Sequence, residues 1–551
     1  MLPWARRGDG RSRLPQPAGL CQEGVMDLWE LAQQNADVLR FSTLFTARQV
    51  PRSLGDEEGI GEAIGWCREH GITHVYLEVF RAKHWAPDDV IERARDAFLD
   101  AGFLVSGCIT PAEFAKQSTG WHAFSCFTAD ETQRVTQEMA ERAARHFDVV
   151  MIDDFFCSDC TCAECRAARG SRSWSDYKRD LMLRVARERV IGPGRAVNPN
   201  VEFIIKYPAW FDMYQERGYD VAAESELFPR TWVGTETRGT DEGGRPDFEP
   251  EPQYQGYWLM RWLLGIGGGK CGGGWYDAID TSPRFYVEQG RQTVLGGAPE
   301  AFLFTYGALR EGGRRHGNGP ADVAALCSEM PQHFELARLI AGREPRGLSG
   351  WKPPNSLPGP DRNLHTLLGM AGFPVTAAHA FEPEAPGFVF GCHVLHDPAW
   401  WEGLESAIAS GRPIVTTPDF LKTVRAPAEG NRLDLGRLRE RAVVVPALTE
   451  RRTWPGLAAL AQEELDALRD GACEDLGVRF HAPQDVSLYL FGDDVAVVES
   501  FRNEQVECHL DVDGWDGAEV ALRIPADSGA QVEADGALML PARSLVAFRR
   551  A

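Results

Sequence analysis

The residues with the most chemical potential in this 551-residue chain are crowded between positions 148 and 165. There Asp-Val-Val-Met-Ile-Asp-Asp-Phe-Phe runs into Cys-Ser-Asp-Cys-Thr-Cys-Ala-Glu-Cys. The apolar run 149–152 has no helical spacing and reads as a buried strand. It delivers two adjacent acids, Asp153 and Asp154. Side chains alternate across a strand, so only one of the two is expected to face a given pocket. Asp154 is taken as the reactive acid and Asp153 as its support and a contact for substrate. Glu236 ends Trp-Val-Gly-Thr-Glu, and Asp277 follows Gly-Gly-Gly-Trp-Tyr. Two carboxyl groups flanking one bond are what glycosidic cleavage needs. One protonates the leaving oxygen, and the other attacks the anomeric carbon or activates water. Asp154 and Glu236 form the leading pair, with Asp277 in reserve as a hydroxyl-binding group or a replacement.

The cysteines point to a second chemistry. Cys160, Cys162 and Cys165 have zinc-ligand spacing, and either Cys157 or the more distant Cys126 could complete a tetrahedral set. A closed four-thiolate site is structural, and here it would stiffen the loop beside Asp154. A redox dithiol or four free thiols are the rival readings. The chain has neither a Gly-x-Ser-x-Gly elbow nor a His-Glu-x-x-His pair, so ester hydrolysis and zinc proteolysis are unsupported. The small α/β domain read over 344–475 lacks a Gly-rich dinucleotide fingerprint and a P-loop, so no cofactor is assigned to it.

The elements that must position these groups follow a regular rhythm. Apolar strands are expected at 38–47, 72–80, 103–109, 149–155, 201–207, 231–236, 272–276 and 301–306. Helical patterns lie between them, and a last helix at 322–341 follows. Eight β-then-α repeats predict a (β/α)₈ TIM barrel over 26–343, with active residues at the C-terminal ends of its strands. That rule selects Glu78, Arg81, His84, Trp85, Asp153, Asp154, Lys206, Tyr207, Trp210, Glu236, Arg238, Trp275, Tyr276, Asp277 and Tyr306. Lys206, Tyr207, Arg238, Trp275 and Asp277 join Asp153 as expected substrate contacts. Among the aromatics, Trp121, His122, Trp210, Trp232, Trp275 and Tyr276 are candidates for stacking on sugar rings. Lys206 and Tyr207 could also serve as base and acid in a hydrolase or lyase acting on a non-glycosidic bond.

Past the barrel, 343–360 is rich in Pro and Gly and reads as a linker. Helix and strand patterns then alternate over 344–475 as a small open α/β domain, closing with a helix at 454–469. Period-two strands at 486–491, 495–500, 506–512, 519–524 and 544–548 predict an antiparallel β-sandwich over 476–551. Residues 1–25 read as a disordered tail without the apolar segment of a secretory signal.

A net charge of −22 argues against nucleic acid or anionic membrane as partner. No apolar run approaches the ~18–20 residues that span a bilayer. Thirteen mostly scattered cysteines suit a reducing compartment, so the cytoplasm is expected. Sixteen Trp and eleven Tyr in so acidic a chain fit a neutral sugar as ligand.

Ile152-Asp-Asp-Phe-Phe followed by Cys160-Thr-Cys-Ala-Glu-Cys165 resembles the acid-bearing strand and zinc loop of glycoside hydrolase family 42, the microbial β-galactosidases. Gly234-Thr-Glu-Thr, a helix with Tyr254 and Gly256, and Gly-Gly-Gly-Trp-Tyr are similar to that family's nucleophile strand, helix and final strand. The resemblance implies Asp154 as acid/base and Glu236 as nucleophile in a retaining mechanism. It favours Cys126 over Cys157 as the fourth ligand of a structural zinc. It also implies that the second domain is flavodoxin-like and mediates a homotrimer. The sequence departs from the family at two points: Asp153-Asp154 stands where the family has Asn-Glu, and Glu236 falls on the sixth strand, where the family uses the seventh. The expectation is an exo-acting retaining glycosidase on a small neutral glycoside. The alternative is a non-catalytic carbohydrate-binding or assembly protein on a decayed barrel.

Overall fold

Eight short strands rich in Val, Ile, Leu and aromatic residues close into a parallel ring in the computed structural model. It describes residues 27–239, 251–312, 318–424, 435–446, 457, 459–515, 517–532 and 537–551. The tail expected at 1–25 lies outside the described residues, as does most of 447–458. The ring strands are β1 (Arg40–Phe45), β2 (His74–Arg81), β3 (Leu104–Thr110), β4 (Val149–Ile152), β5 (Glu202–Tyr207), β6 (Arg230–Gly234), β7 (Cys271–Asp277) and β8 (Glu300–Phe304). Each pairs with the next, and β1 pairs with both β2 and β8, which leaves the ring without a free edge. The connecting helices bury one stripe against it; helix Asp130–His146, for example, buries Thr132, Thr136, Met139, Ala140 and Ala143. The protein is a (β/α)₈ barrel with further sheets behind it.

Strand periodicity dictates what fills the ring. Leu44, Tyr76, Cys108, Met151, Ile204, Trp232, Trp275 and Phe302, one from each strand, form a separate buried cluster in its interior. Two residues beyond the last seven of these stand Glu78, Thr110, Asp153 (just past the end of β4), Lys206, Gly234, Asp277 and Phe304. A dry aromatic and aliphatic floor thus carries a layer of charged groups at the C-terminal mouth.

The passage expected as a linker at 343–360 is structured instead. Its Leu348–Trp351 is β9, the first strand of a second sheet with β10 (Val375–Ala378), β11 (Phe388–Phe390), β12 (Ile414–Thr416) and β13 (Val443–Val444). All are parallel, in the order β10-β9-β11-β12-β13, the 2-1-3-4-5 order of a flavodoxin-like sheet. Just before β9, Pro345–Arg346 pairs with Val486–Phe491 in the C-terminal sheets. Pro and Gly signalled turns on either side of β9, and its burial between neighbours decided the strand. The C-terminal residues form two antiparallel sheets, built on Val478–His481, Val486–Phe491, Val495–Ser500, Val506–Val512, Ala518–Ile524, Gln531–Val532, Ala537–Leu540 and Leu545–Arg550. Buried charges join them to the barrel: Arg543 on Glu288 at 2.8 Å, and Gln292 on Glu499 at 2.6 Å.

Candidate active site

The mouth of the ring opens into a cavity of about 560 Å³. At its centre is Lys206, whose side chain is 1% exposed. Its ammonium donates to Asp154 Oδ2 at 3.0 Å and to Glu236 Oε1 at 2.9 Å, and lies 3.8 Å from Asp153 Oδ1. The indole of Trp275 lies beneath it, 4.6 Å from nitrogen to ring centre, and stacks in turn on Phe302. Two carboxyl oxygens held by one ammonium cannot be more than about 5.9 Å apart, so Asp154 and Glu236 share one pocket.

Around this hub the charges alternate. Asp153 accepts from Arg81 at 2.8 Å and from the backbone N–H of Asp154 at 2.8 Å. Arg81 also donates to Glu78 at 2.8 Å, and Glu78 is held by the N–H of Ala47 at 2.7 Å and the hydroxyl of Thr110 at 2.6 Å. On the far side Arg238 grips Asp277 with two nitrogens, at 3.0 and 2.5 Å, and Asp277 Oδ1 also accepts from the N–H of Ile279. Both oxygens of Asp277 are therefore committed. The second oxygen of Glu236, Oε2, has no hydrogen-bond partner among the described residues. It folds back into the space left by Gly234, where a Cβ would stand 2.2 Å from it.

Burial pushes the Asp154 carboxyl up to about 7; Lys206 pulls it down, while Asp153 and Glu236 add to the push. Its side chain is 22% exposed, the most open of the acids around Lys206. Burial would raise Asp153 as well, but Arg81 and Lys206 hold it below the usual carboxylate range. Burial disfavours the charge on Lys206, yet the three acids outweigh it and keep the ammonium protonated. One carboxyl is thus poised to carry a proton near neutrality beside Asp153, which stays ionised, the kind of division of labour that acid–base chemistry on a glycoside requires.

A second cluster lies behind the loop that follows Asp154. The sulfurs of Cys126, Cys160, Cys162 and Cys165 all fall within 4.8 Å of one another, with pairs at 3.5, 3.6 and 3.9 Å. A tetrahedron with Zn–S bonds of ≈ 2.3 Å has edges of about 3.8 Å, so the four thiols fit a metal ion. Cys157 is not among them; its sulfur faces the Asp154 carbonyl at 3.8 Å. The cluster joins the segment after β3 to the segment after β4. Beside it Asp159 accepts from the hydroxyl of Ser118 and, at 2.6 Å, from the N–H of Trp121. Trp121 stands 38% exposed at the cavity mouth, close to Phe155.

Of the residues selected from sequence, Asp153, Asp154, Lys206, Glu236, Arg238, Trp275 and Asp277 all line this cavity, together with Arg81, Trp121 and Trp210. The expectation that Asp153 and Asp154 diverge is corrected. The strand ends at Ile152, so the two acids lie beyond strict alternation and both turn to Lys206. Tyr207 is also corrected. It is one residue out of phase with Lys206, faces the helix side and packs against Tyr214 and Tyr219. With Tyr207 outside the cavity and Lys206 ion-paired, no base–acid couple forms from those two. Trp232 belongs to the ring interior and Tyr276 and Tyr306 are buried elsewhere, while His84 is exposed on a hairpin. Residues that sequence reasoning missed are Phe124, Arg217, Glu251, Phe304 and Arg362. Phe304 could have been found, since it keeps phase with Phe302 on β8. Arg362 comes from the second domain, and no local pattern announces it.

The fold and the paired acids define a barrel glycosidase architecture. Residues 26–328 match the family described as "Probable glycosyl hydrolase, catalytic domain", and the chain belongs to that family. An uncharacterized protein of Saccharolobus solfataricus is 23% identical over 295 residues, which is 47% of this chain and 48% of that protein, so the chain spans about half the length of the curated relative it matches. Among solved structures, a catalytic mutant of the GH42 β-galactosidase Gan42B from G. stearothermophilus superposes with a TM-score of 0.59 at 11% identity, covering 94% of this chain and 98% of that one. The exo-carrageenase GH42 of Bacteroides ovatus gives 0.56 at 9% identity, covering 93% and 82%. These likenesses show that the chain shares the fold of GH42 enzymes.

Proposed function

We propose that the protein is an exo-acting, retaining glycoside hydrolase in which Asp154 is the acid/base and Glu236 the nucleophile. The observation that carries this reading is that one ammonium holds both carboxyls within about 5.9 Å of each other in a single cavity. Retaining enzymes keep their carboxyls ≈ 5–5.5 Å apart, whereas inverting ones leave ≈ 6.5–9.5 Å for a water. In the first step protonated Asp154 gives its proton to the glycosidic oxygen as that bond breaks, and Glu236 forms the bond to the anomeric carbon. In the second, Asp154 takes a proton from water as the glycosyl ester is hydrolysed. Lys206 then does two jobs: it holds Glu236 in an ion pair and aligns it with Asp154. Asp277 sits on the seventh strand, where the resembled family has its nucleophile, but both its oxygens are already bonded, which favours Glu236.

Zinc in the four-cysteine cluster would be structural, tying the two mouth segments that carry Trp121 and Asp154. The reading also includes the homotrimer expected from the resemblance, which light scattering in solution tests. The enzymatic test is covalent. Mass mapping after inactivation with 2-deoxy-2-fluoro aryl glycosides is expected to place the label on Glu236, and Glu236→Gln is expected to abolish turnover without rescue by excess substrate. A label on Asp277, or full activity in Glu236→Gln across the aryl panel, refutes the assignment.

A further inference from the structure

Two arginines in the cavity have no carboxylate within ion-pair distance among the described residues. Several largely buried arginines in this chain are gripped by carboxylates: Arg81 by Glu78 and Asp153, Arg238 by Asp277, Arg291 by Glu329 and Arg543 by Glu288. Arg217 and Arg362 line the same cavity, yet among the described residues neither has a carboxylate within 4 Å or a side-chain hydrogen bond. The Nε of Arg362 is buried without a hydrogen-bond partner among the described residues. In a chain with 80 acidic and 58 basic residues, two guanidiniums without an ion pair in this cavity are not a by-product of surplus positive charge.

Both are held in place by everything except their charge. Arg362 sits between two anchors. Asp361 accepts from the N–H of Cys392 at 2.7 Å and from Thr417 at 2.8 Å, while Asn363 gives its N–H to Asp212 at 3.1 Å and its amide to Glu251 at 3.3 Å. Asn363 has φ 59°, a left-handed conformation that Asn tolerates better than most residues, and this turns the segment over the barrel mouth. Arg217 has its carbonyl fixed by the N–H of Ser158 at 2.8 Å, and its guanidinium lies 4.6 Å above Trp210 and 5.3 Å from Phe124. Stacking leaves the guanidinium edges, with their N–H donors, open to a ligand. Planar, always-charged groups held this way suit a bidentate oxyanion better than a lone hydroxyl.

We infer that the substrate is an anionic sugar, bearing a carboxylate or a sulfate ester that Arg217 or Arg362 grips while the glycosidic bond lies between Asp154 and Glu236. This replaces the neutral sugar suggested by overall composition, because net charge averages over a surface the ligand never meets. The inference rests on the glycosidase reading, but its test is binding and needs no turnover. Burial pushes the Glu251 carboxyl up to about 7 against the downward pull of Arg362, so near neutrality it is only partly charged and competes weakly with an incoming anion.

The experiment is calorimetric titration of the whole protein with D-glucuronate, D-galacturonate and D-galactose 6-sulfate, each beside its neutral counterpart, at low and at 0.3 M salt. At least one anionic sugar is expected to bind tenfold or more tighter than its neutral partner, with the advantage shrinking in salt. The uronate and sulfate arms tell which oxyanion is recognised. In Arg217→Gln or Arg362→Gln the charged-to-neutral ratio is expected to fall towards one, while Arg362→Lys keeps part of it. Neutral sugars binding as well as their anionic partners, or ratios unmoved in both glutamine variants, overturn the inference. Either result leaves the fluoro-glycoside label on Glu236 free to stand or fall separately.

Discussion

Replacing Lys206 by Met removes the cation that holds Asp154 and Glu236 together, and the effect can be worked out from the distances. At 3.0 Å from Asp154 Oδ2, a unit charge contributes ~1.4 kcal/mol if fully screened by water and ~5.5 kcal/mol at an effective permittivity of about 20. These correspond to roughly one and four units of pKa. Asp154 is partly exposed, so the lower end applies, and a shift of about one to two units is expected. The sign is upward, since Lys206 lowers the Asp154 carboxyl and its removal leaves burial less opposed. If protonated Asp154 is the acid, the alkaline limb of kcat/KM lies near pH 7 in the native enzyme and moves to about 8–9 in Lys206→Met. The assay is a pH–rate profile on an aryl glycoside the native enzyme cleaves, with Lys206→Arg as a charge-keeping control and a thermal melt to verify folding. An alkaline limb that stays put or moves to lower pH in a folded Lys206→Met protein refutes the reasoning.

Other expectations follow from the same geometry. Gly234→Ala places a Cβ 2.2 Å from Glu236 Oε2 and 3.0 Å from the Ala209 nitrogen, so turnover is expected to fall at least ~10-fold in a protein that still folds, as steady-state kinetics and circular dichroism will show. Protein purified without chelator is expected to hold about one zinc per chain by elemental analysis; Cys126→Ser should lose it and Cys157→Ser should keep it. Burial raises the carboxyls of Asp154, Glu251, Glu288 and Asp322 to about 7 and those of Glu224 and Glu499 to about 8. The native state therefore holds protons that the unfolded chain releases above pH ~4–4.5. Stability should fall as pH rises through 5–8, with Tm a few degrees higher at pH 5.5 than at pH 8 by scanning fluorimetry; a Tm that climbs steadily over that range contradicts this.

Sequence by itself determined the ring and most of the groups at its mouth. Hydrophobic periodicity marked all eight strands, and the period of two put Glu78, Lys206 and Asp277 on the face that Tyr76, Ile204 and Trp275 fill one layer below. Cysteine spacing isolated three thiols, and a family resemblance chose Cys126 as the fourth. Where alternation was applied past the last ladder bond it failed: Ile152 ends β4, and the turn that follows brings Asp153 and Asp154 to the same ammonium. Tertiary structure alone decided which oxygens are free and which are tied, because that depends on pairs such as Arg238 with Asp277 and Lys206 with Glu236, whose partners are dozens of residues apart. It also decided the electrostatic character of the pocket. Arg217 and Arg362 enter from the short helix Tyr214–Arg217 and from another domain, and the field a ligand meets is the sum over groups that only folding brings within a few ångströms.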